Sequence, residues 1–218
     1  MIEGNLSLEP LHFFAIGADL LYFKGMRGTA LPKSHTLPVL SSFFGKKAFA
    51  QVALGWNEEG IFAEVHSGSR TPRVFFPDFQ KGDSIELFFD TRDMKNVGYS
   101  HKFCHHFFFL PLPFEEEGEK IQGGEITKFR GEERHELADS SLFFIDCKEG
   151  GKKGYVLHIF IPKECLFGYD PSSFHRLGFT YRINQSGGLP QYFSASAEEY
   201  SIEQHPSLWA SLDIITCI

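Results

Sequence analysis

The chain has 218 residues, with 21 Lys and Arg against 28 Asp and Glu, and a formal charge of -7 at pH 7. That balance argues against a phosphate backbone as the main partner, because nucleic-acid binding draws most of its affinity from basic side chains. No apolar run is long enough to cross a bilayer as a helix, and no membrane insertion is expected. The 25 Phe against 2 Trp and 3 Met favour β structure, since phenyl rings fill strand-built cores better than helical ones. The opening "MIEGNLSLEP" lacks a basic segment followed by an apolar core, so the default expectation is a cytoplasmic protein, with signal-independent export left open. Cys104, Cys147, Cys165 and Cys217 form no C-x-x-C pair, and reduced thiols are expected.

In chain order, residues 11–40 read as one or two edge strands and loops. "KKAFAQVALGWNEEGIFAEVHS" reads as a β-hairpin turning at Asn57, Glu58, Glu59 and Gly60. After the loop "SRTPRVFFPDFQKGD", residues 84–90 alternate, with Ile85, Leu87 and Phe89 on one side and Glu86, Phe88 and Asp90 on the other. "KFCHHFFFL" is the next strand and should stop at Pro111, because proline removes a ladder donor. Residues 112–136 are acidic and contain glycine, and read as a mobile insertion with one hairpin at most. Three more strands are expected in "SSLFFIDCKEG", "GYVLHIFIP" and "RLGFTYRIN", with a helical turn in "KECLFGYDPSSF" and a last strand in "PSLWASLDIITCI". Helical periodicity of any length is missing, which indicates a single all-β domain over residues 1–218, a sandwich or barrel with little helix.

Parity divides each strand into inward and outward sets. Glu86, Phe88, His106, Phe108, His158, Phe160 and Arg182 fall outward, so aromatic rings would alternate with hydrogen-bonding groups as a ligand groove requires. Sugars suit such a surface, because their C–H faces stack on rings and their hydroxyls take planar donors and acceptors. The competing expectation is that residues 112–136 cover this face and turn its rings into a second core. Cys104 and His106 share one face and offer two ligands for zinc, with the others to come from distant positions. Asp90, Asp93 and Asn96 offer oxygen ligands for calcium, against a plain strand-ending turn. Gln191 and Tyr192 sit where a loop tip could reach a ligand. No nucleophile elbow, metalloprotease helix, P-loop or dinucleotide fingerprint is present, so no enzyme is expected.

"VALGWNEEGIFAEV" followed by "KGDSIELFFDTRD" resembles the central hairpin and strand of the family 9 carbohydrate-binding modules and their DOMON-like relatives. The resemblance is carried by about residues 51–93 and implies an antiparallel two-sheet, jelly-roll-like β-sandwich with a sugar-binding curved face. It also implies sugar held between tryptophans with Arg, Glu, Asn and Gln on its hydroxyls, and often a structural calcium. Only Trp56 and Trp209 are available here, and the Phe-Cys-His-His-Phe run lies outside the family pattern. The expectation is therefore a non-catalytic glycan binder in which Phe88 and Phe108 stack, Glu86 and Arg182 orient hydroxyls, and His106 and Trp209 flank the site. Two alternatives stand beside it: a protein-interaction or scaffold domain without a sugar site, and a metal-binding protein using Cys104 and His106.

Overall fold

The computed structural model describes residues 17–40, 47–149, 154–194 and 201–216. Part of the first predicted edge strand, residues 11–16, and Cys217 lie outside them. The described strands are β1 (Gly17–Tyr22), β2 (Ala50–Asn57), β3 (Gly60–Ser67), β4 (Ser84–Asp90), β5 (Cys104–Glu116), β6 (Glu119–Glu125), β7 (Phe144–Glu149), β8 (Tyr155–Pro162), β9 (Arg176–Asn184), β10 (Gln191–Tyr192) and β11 (Ala210–Ile215). Short 3-10 turns are the helical elements among the described residues, and none of these is long and apolar enough to cross a membrane.

The expected two antiparallel sheets are one mixed sheet, in the order β6-β5-β4-β9-β11-β1-β2-β3-β8-β7, with β10 beside β9. The difference comes from β1, which is an interior strand and not an edge. It runs parallel to β11, with Leu20 opposite Ile214, and parallel to β2, with Leu21 opposite Gly55. It thereby joins two antiparallel halves through hydrogen bonds, and the twist of so wide a sheet curls it towards closure. At the closing seam Gly123 of β6 stands against β7, where an added Cβ would lie 2.9 Å from the Ile145 side chain and 2.8 Å from Phe109.

The inward parity set fills this nearly closed, barrel-like shape. Ile85, Leu87 and Phe89 of β4 meet Phe107 and Phe109 of β5 and Phe179 of β9 in one buried cluster that continues through β2, β3 and β8. Trp56, the hairpin tryptophan, is 2% exposed and donates its indole N–H to the Ile215 carbonyl at 3.2 Å. It works as a clamp between β2 and β11.

Strand β5 does not end at Pro111. It continues to Glu116, because its register with β6 shifts between Phe109 and Phe114, and both Pro111 and Pro113 fall in that irregular stretch where no ladder donor is needed. The acidic segment is the tip of the β5–β6 hairpin, turning at Glu117 (φ 51°) and Gly118 (φ 88°), followed by a strap over residues 126–138. Its tip is exposed, but Glu125 at its base is buried.

Candidate functional site

The outward side chains of β4, β5 and β9 meet around one carboxylate. Ladder pairing sets Glu86 opposite Phe108 on one side and Arg182 on the other, and sets Phe88 opposite His106 and Thr180. Arg182 grips Glu86 with two bonds of 2.6 Å, Nε to Oε1 and Nη2 to Oε2. Asn184 adds a 2.8 Å bond to Oε1, while His106 Nε2 at 2.8 Å and Gln80 at 3.1 Å reach Oε2. Glu86 is completely buried. Burial alone would raise its carboxyl, but hydrogen bonds from His106 and Arg182, with their charges, win and hold it at about 2. A carboxylate so fixed anchors its donors; it does not exchange protons near neutrality.

The rings on this face are covered, which corrects the expectation that they stack on a ligand. Phe108 is 3% exposed and lies parallel to Phe79, centroids 4.7 Å apart, with Phe76 at 5.8 Å beyond. Both covering rings come from the loop before β4. Ile126 of the strap joins the same apolar cluster, so the segment after Pro113 supplies part of the cover. Phe88 is fully buried between His106, at 4.1 Å, and Trp209, at 5.6 Å. Trp209 is 1% exposed and donates to the Ile202 carbonyl at 2.7 Å. Phe88, Phe108 and Trp209 therefore form two outer cores, because large apolar faces are seldom left in water.

What stays open is the polar ground between those cores. A cleft of about 430 Å³ is lined by Phe79, Gln80, His106, Lys128, Arg182 and Glu203 among others. A smaller recess of about 210 Å³ shares Gln80 and Arg182 with it and extends towards Asn184 and Tyr192. Glu203 Oε2 stands 3.6 Å from Arg182 Nη1 and has no hydrogen-bond partner among the described residues. His106 and Arg182 thus face the opening, with Glu86 behind them as their anchor. Gln80, Lys128 and Glu203 were not legible as site residues, because each comes from a loop or 3-10 turn that carries no strand parity.

Other predicted positions do not join this site. His158 and Phe160 lie on β8, at the far wing of the sheet, where Phe160 packs on Phe62 and His158 stands 3.4 Å from Glu64. Gln191 is buried and bonded to β2 backbone, so it is no loop-tip contact. Asp90 caps its strand end, accepting from the backbone N–H of Arg92 at 3.0 Å and Met94 at 2.7 Å. Asp93 pairs with Lys95 at 2.6 Å and Arg176 at 2.7 Å, and Asn96 is exposed. The calcium reading fails on this geometry, since the aspartate oxygens are taken by protein donors. Cys104 is grouped with Asp90 and His101 and not with His106, whose inner nitrogen is turned to Glu86. Burial pushes the Cys104 thiol far up, which disfavours the thiolate that zinc needs.

No family model matches the sequence, and no curated protein sequence matches it significantly. Solved structures do match in three dimensions. A family 9 carbohydrate-binding module from Caldicellulosiruptor kristjanssonii in complex with cellotriose aligns over 93% of this chain and 95% of its own, with a TM-score of 0.64 at 12% identity. The same organism's family 9 module in complex with glucose aligns over 93% and 97%, with a TM-score of 0.62 at 12% identity. A candidate carbohydrate-binding protein from Bacteroides uniformis aligns over 92% and 98%, with a TM-score of 0.54 at 12% identity. Across more than nine-tenths of its length, the chain has the fold of the family 9 carbohydrate-binding modules.

Proposed function

We propose that this chain is a non-catalytic carbohydrate-binding protein whose ligand enters the cleft over β4, β5 and β9. The observation that carries the reading is the Arg182 guanidinium, locked by Glu86 in the lining of that cleft, with the buried Glu203 Oε2 3.6 Å from its Nη1 and without a hydrogen-bond partner among the described residues. A fixed planar donor beside a carboxylate oxygen suits vicinal hydroxyls, and anchoring it in advance removes the entropy that binding would otherwise cost. His106 is held in the same way and adds ring surface, and the Phe79 edge supplies the apolar wall. The fold shared with modules whose structures hold glucose and cellotriose supports sugars as the ligand class.

Recognition differs here from a tryptophan sandwich, since Trp56 and Trp209 are both buried. The cleft would hold one or two sugar units chiefly by hydrogen bonds, and weak, millimolar affinity is the expected outcome. Calorimetry with glucose, cellotriose and a panel of other mono- and oligosaccharides tests the proposal, with Glu203→Gln as the site variant. Binding that Glu203→Gln weakens supports it. If wild type, folded by circular dichroism, binds no sugar in the panel, the cleft has another use and the reading is withdrawn.

A further inference from the structure

Behind the sugar cleft, on the inward side of β5, a second polar cluster has a chemistry of its own. His105 follows the inward parity of Phe107, and Glu125 sits opposite Phe107 in the β5–β6 ladder. The strap then returns His135 to the same carboxylate. His105 Nδ1 lies 3.0 Å and His135 Nε2 2.8 Å from one oxygen, Glu125 Oε1. The other oxygen, Oε2, accepts from the Ala138 backbone N–H at 2.8 Å. Thr127 donates to Oε1 at 2.6 Å while accepting from the His106 backbone N–H at 2.8 Å.

The outer nitrogens decide the question. His105 Nε2 faces the Phe167 carbonyl at 3.3 Å, and His135 Nδ1 faces the Lys102 carbonyl at 2.6 Å. A carbonyl only accepts, so both outer nitrogens carry their hydrogens. Each inner nitrogen then either carries a second proton and donates to the Glu125 carboxylate as an imidazolium, or holds a lone pair aimed at the same oxygen. A divalent cation among the three atoms takes the place of those protons and turns the cluster into a coordination set. Imidazoles tied by their outer N–H to backbone carbonyls are the usual outer shell of metal-bound histidine.

The distances are close to what coordination requires. All three ligand atoms lie within 4.8 Å of one another. Tetrahedral zinc with bonds of about 2.0–2.1 Å places its ligands about 3.3 Å apart, and the two nitrogen-to-oxygen distances, 3.0 and 2.8 Å, lie within a few tenths of an ångström of that. His105 and Glu125 have side chains at 0% exposure and His135 at 4%, which is unlike an incidental surface cluster. The access route is a neighbouring cleft of about 430 Å³, lined by His135, Ala138, Glu164, Cys165 and Phe167 among others.

We infer that His105, Glu125 and His135 form a binding site for a divalent transition metal of the zinc class, with the fourth ligand a water entering from that cleft. Two imidazole nitrogens and one carboxylate oxygen suit zinc and its transition-metal neighbours and disfavour calcium, which takes oxygen ligands. Such an ion fastens the 126–138 strap to β5. Because Ile126 and Lys128 of that strap line the sugar cleft, the ion would also steady one of its walls. The site stands independently of sugar binding.

The test uses the full chain freed of any polyhistidine tag and stripped with a chelator. Calorimetry with zinc chloride is expected to give one site per chain, and calcium chloride none. Zinc should raise the melting temperature, and His135→Gln and Glu125→Gln should each weaken zinc at least about 100-fold, while the exposed His175→Ala leaves it unchanged. Cobalt(II) should give visible bands of a nitrogen and oxygen site without thiolate charge transfer. Absence of stoichiometric zinc in wild type overturns the inference. So does zinc binding that survives His135→Gln, or a thiolate band, which would place the ion at Cys104 or Cys165.

Discussion

Arg182 and Glu86 face each other as a two-bond fork, both contacts 2.6 Å, with the acid fully buried and the guanidinium 8% exposed. Removing Arg182 takes two of the five hydrogen bonds, and the closest cation, from a carboxylate in a medium that solvates it poorly. Arg182→Ala should therefore cost about 3–5 kcal/mol in urea unfolding. The double change Glu86→Leu with Arg182→Met removes both charges together and should cost much less than the sum of the singles. A simple sum would mean that the pair is not coupled and that the fork does not organise the cleft floor.

Acid should weaken the fold in a defined window. Glu86 is held at about 2 against a usual value of 4.5, so the unfolded chain takes up its proton first as pH falls. The stabilisation is complete above the unfolded value and is lost as pH drops from about 5 towards 2, on the order of 3 kcal/mol in all. Glu125, also held at about 2, titrates in the same window, so the informative measurement is the difference between wild type and Glu86→Gln. Unfolding free energies of the two should converge as pH falls below 4. Parallel curves would show that Glu86 is not held low.

Both tryptophans should be silent to sugar. Trp56 and Trp209 are 2% and 1% exposed, and both indole N–H groups are bonded to carbonyls. Their emission should be blue-shifted relative to free tryptophan and resist iodide quenching. Glucose or cellotriose, at concentrations that saturate the calorimetric signal, should leave that spectrum in place. A sugar-dependent shift would mean that Trp209 is uncovered on binding and that the ring stacking expected from the sequence does occur.

The strands were legible because parity is a local property. Ile85, Leu87 and Phe89 alternate with Glu86, Phe88 and Asp90 in the sequence, and the burial of the first set in the main core follows that reading. The resemblance carried by residues 51–93 agrees with the fold found across the chain. Parity tells only which side of the sheet a residue takes, however, and not what lies above it. Phe108 and Phe88 were rightly placed outward, yet Phe79 and Trp209 reach them from loops whose path no periodicity encodes. For the same reason Glu203 and Gln80 escaped notice at the cleft, and His135 at the Glu125 cluster. The parallel pairing of β1 was hidden too, since long-range strand order leaves no mark on a short apolar run.

Gln191 shows how a residue read as a ligand contact can instead carry the fold. Its Oε1 accepts from the backbone N–H groups of Phe49 at 2.9 Å and Ala50 at 3.0 Å, and its Nε2 donates to the Ala50 carbonyl at 2.9 Å. One amide side chain thus serves the start of β2 as a neighbouring strand would, and ties it to β10. Gln191→Ala strands those backbone groups, each unmade bond costing about 1–3 kcal/mol where water cannot enter. A total loss of about 3 kcal/mol is expected in urea unfolding, together with faster hydrogen exchange at the Phe49 and Ala50 amides. Because the side chain is 4% exposed and lines neither the cleft nor the recess beside it, sugar affinity should be unchanged at temperatures where the variant is folded. Weaker sugar binding with normal stability would return Gln191 to the ligand site.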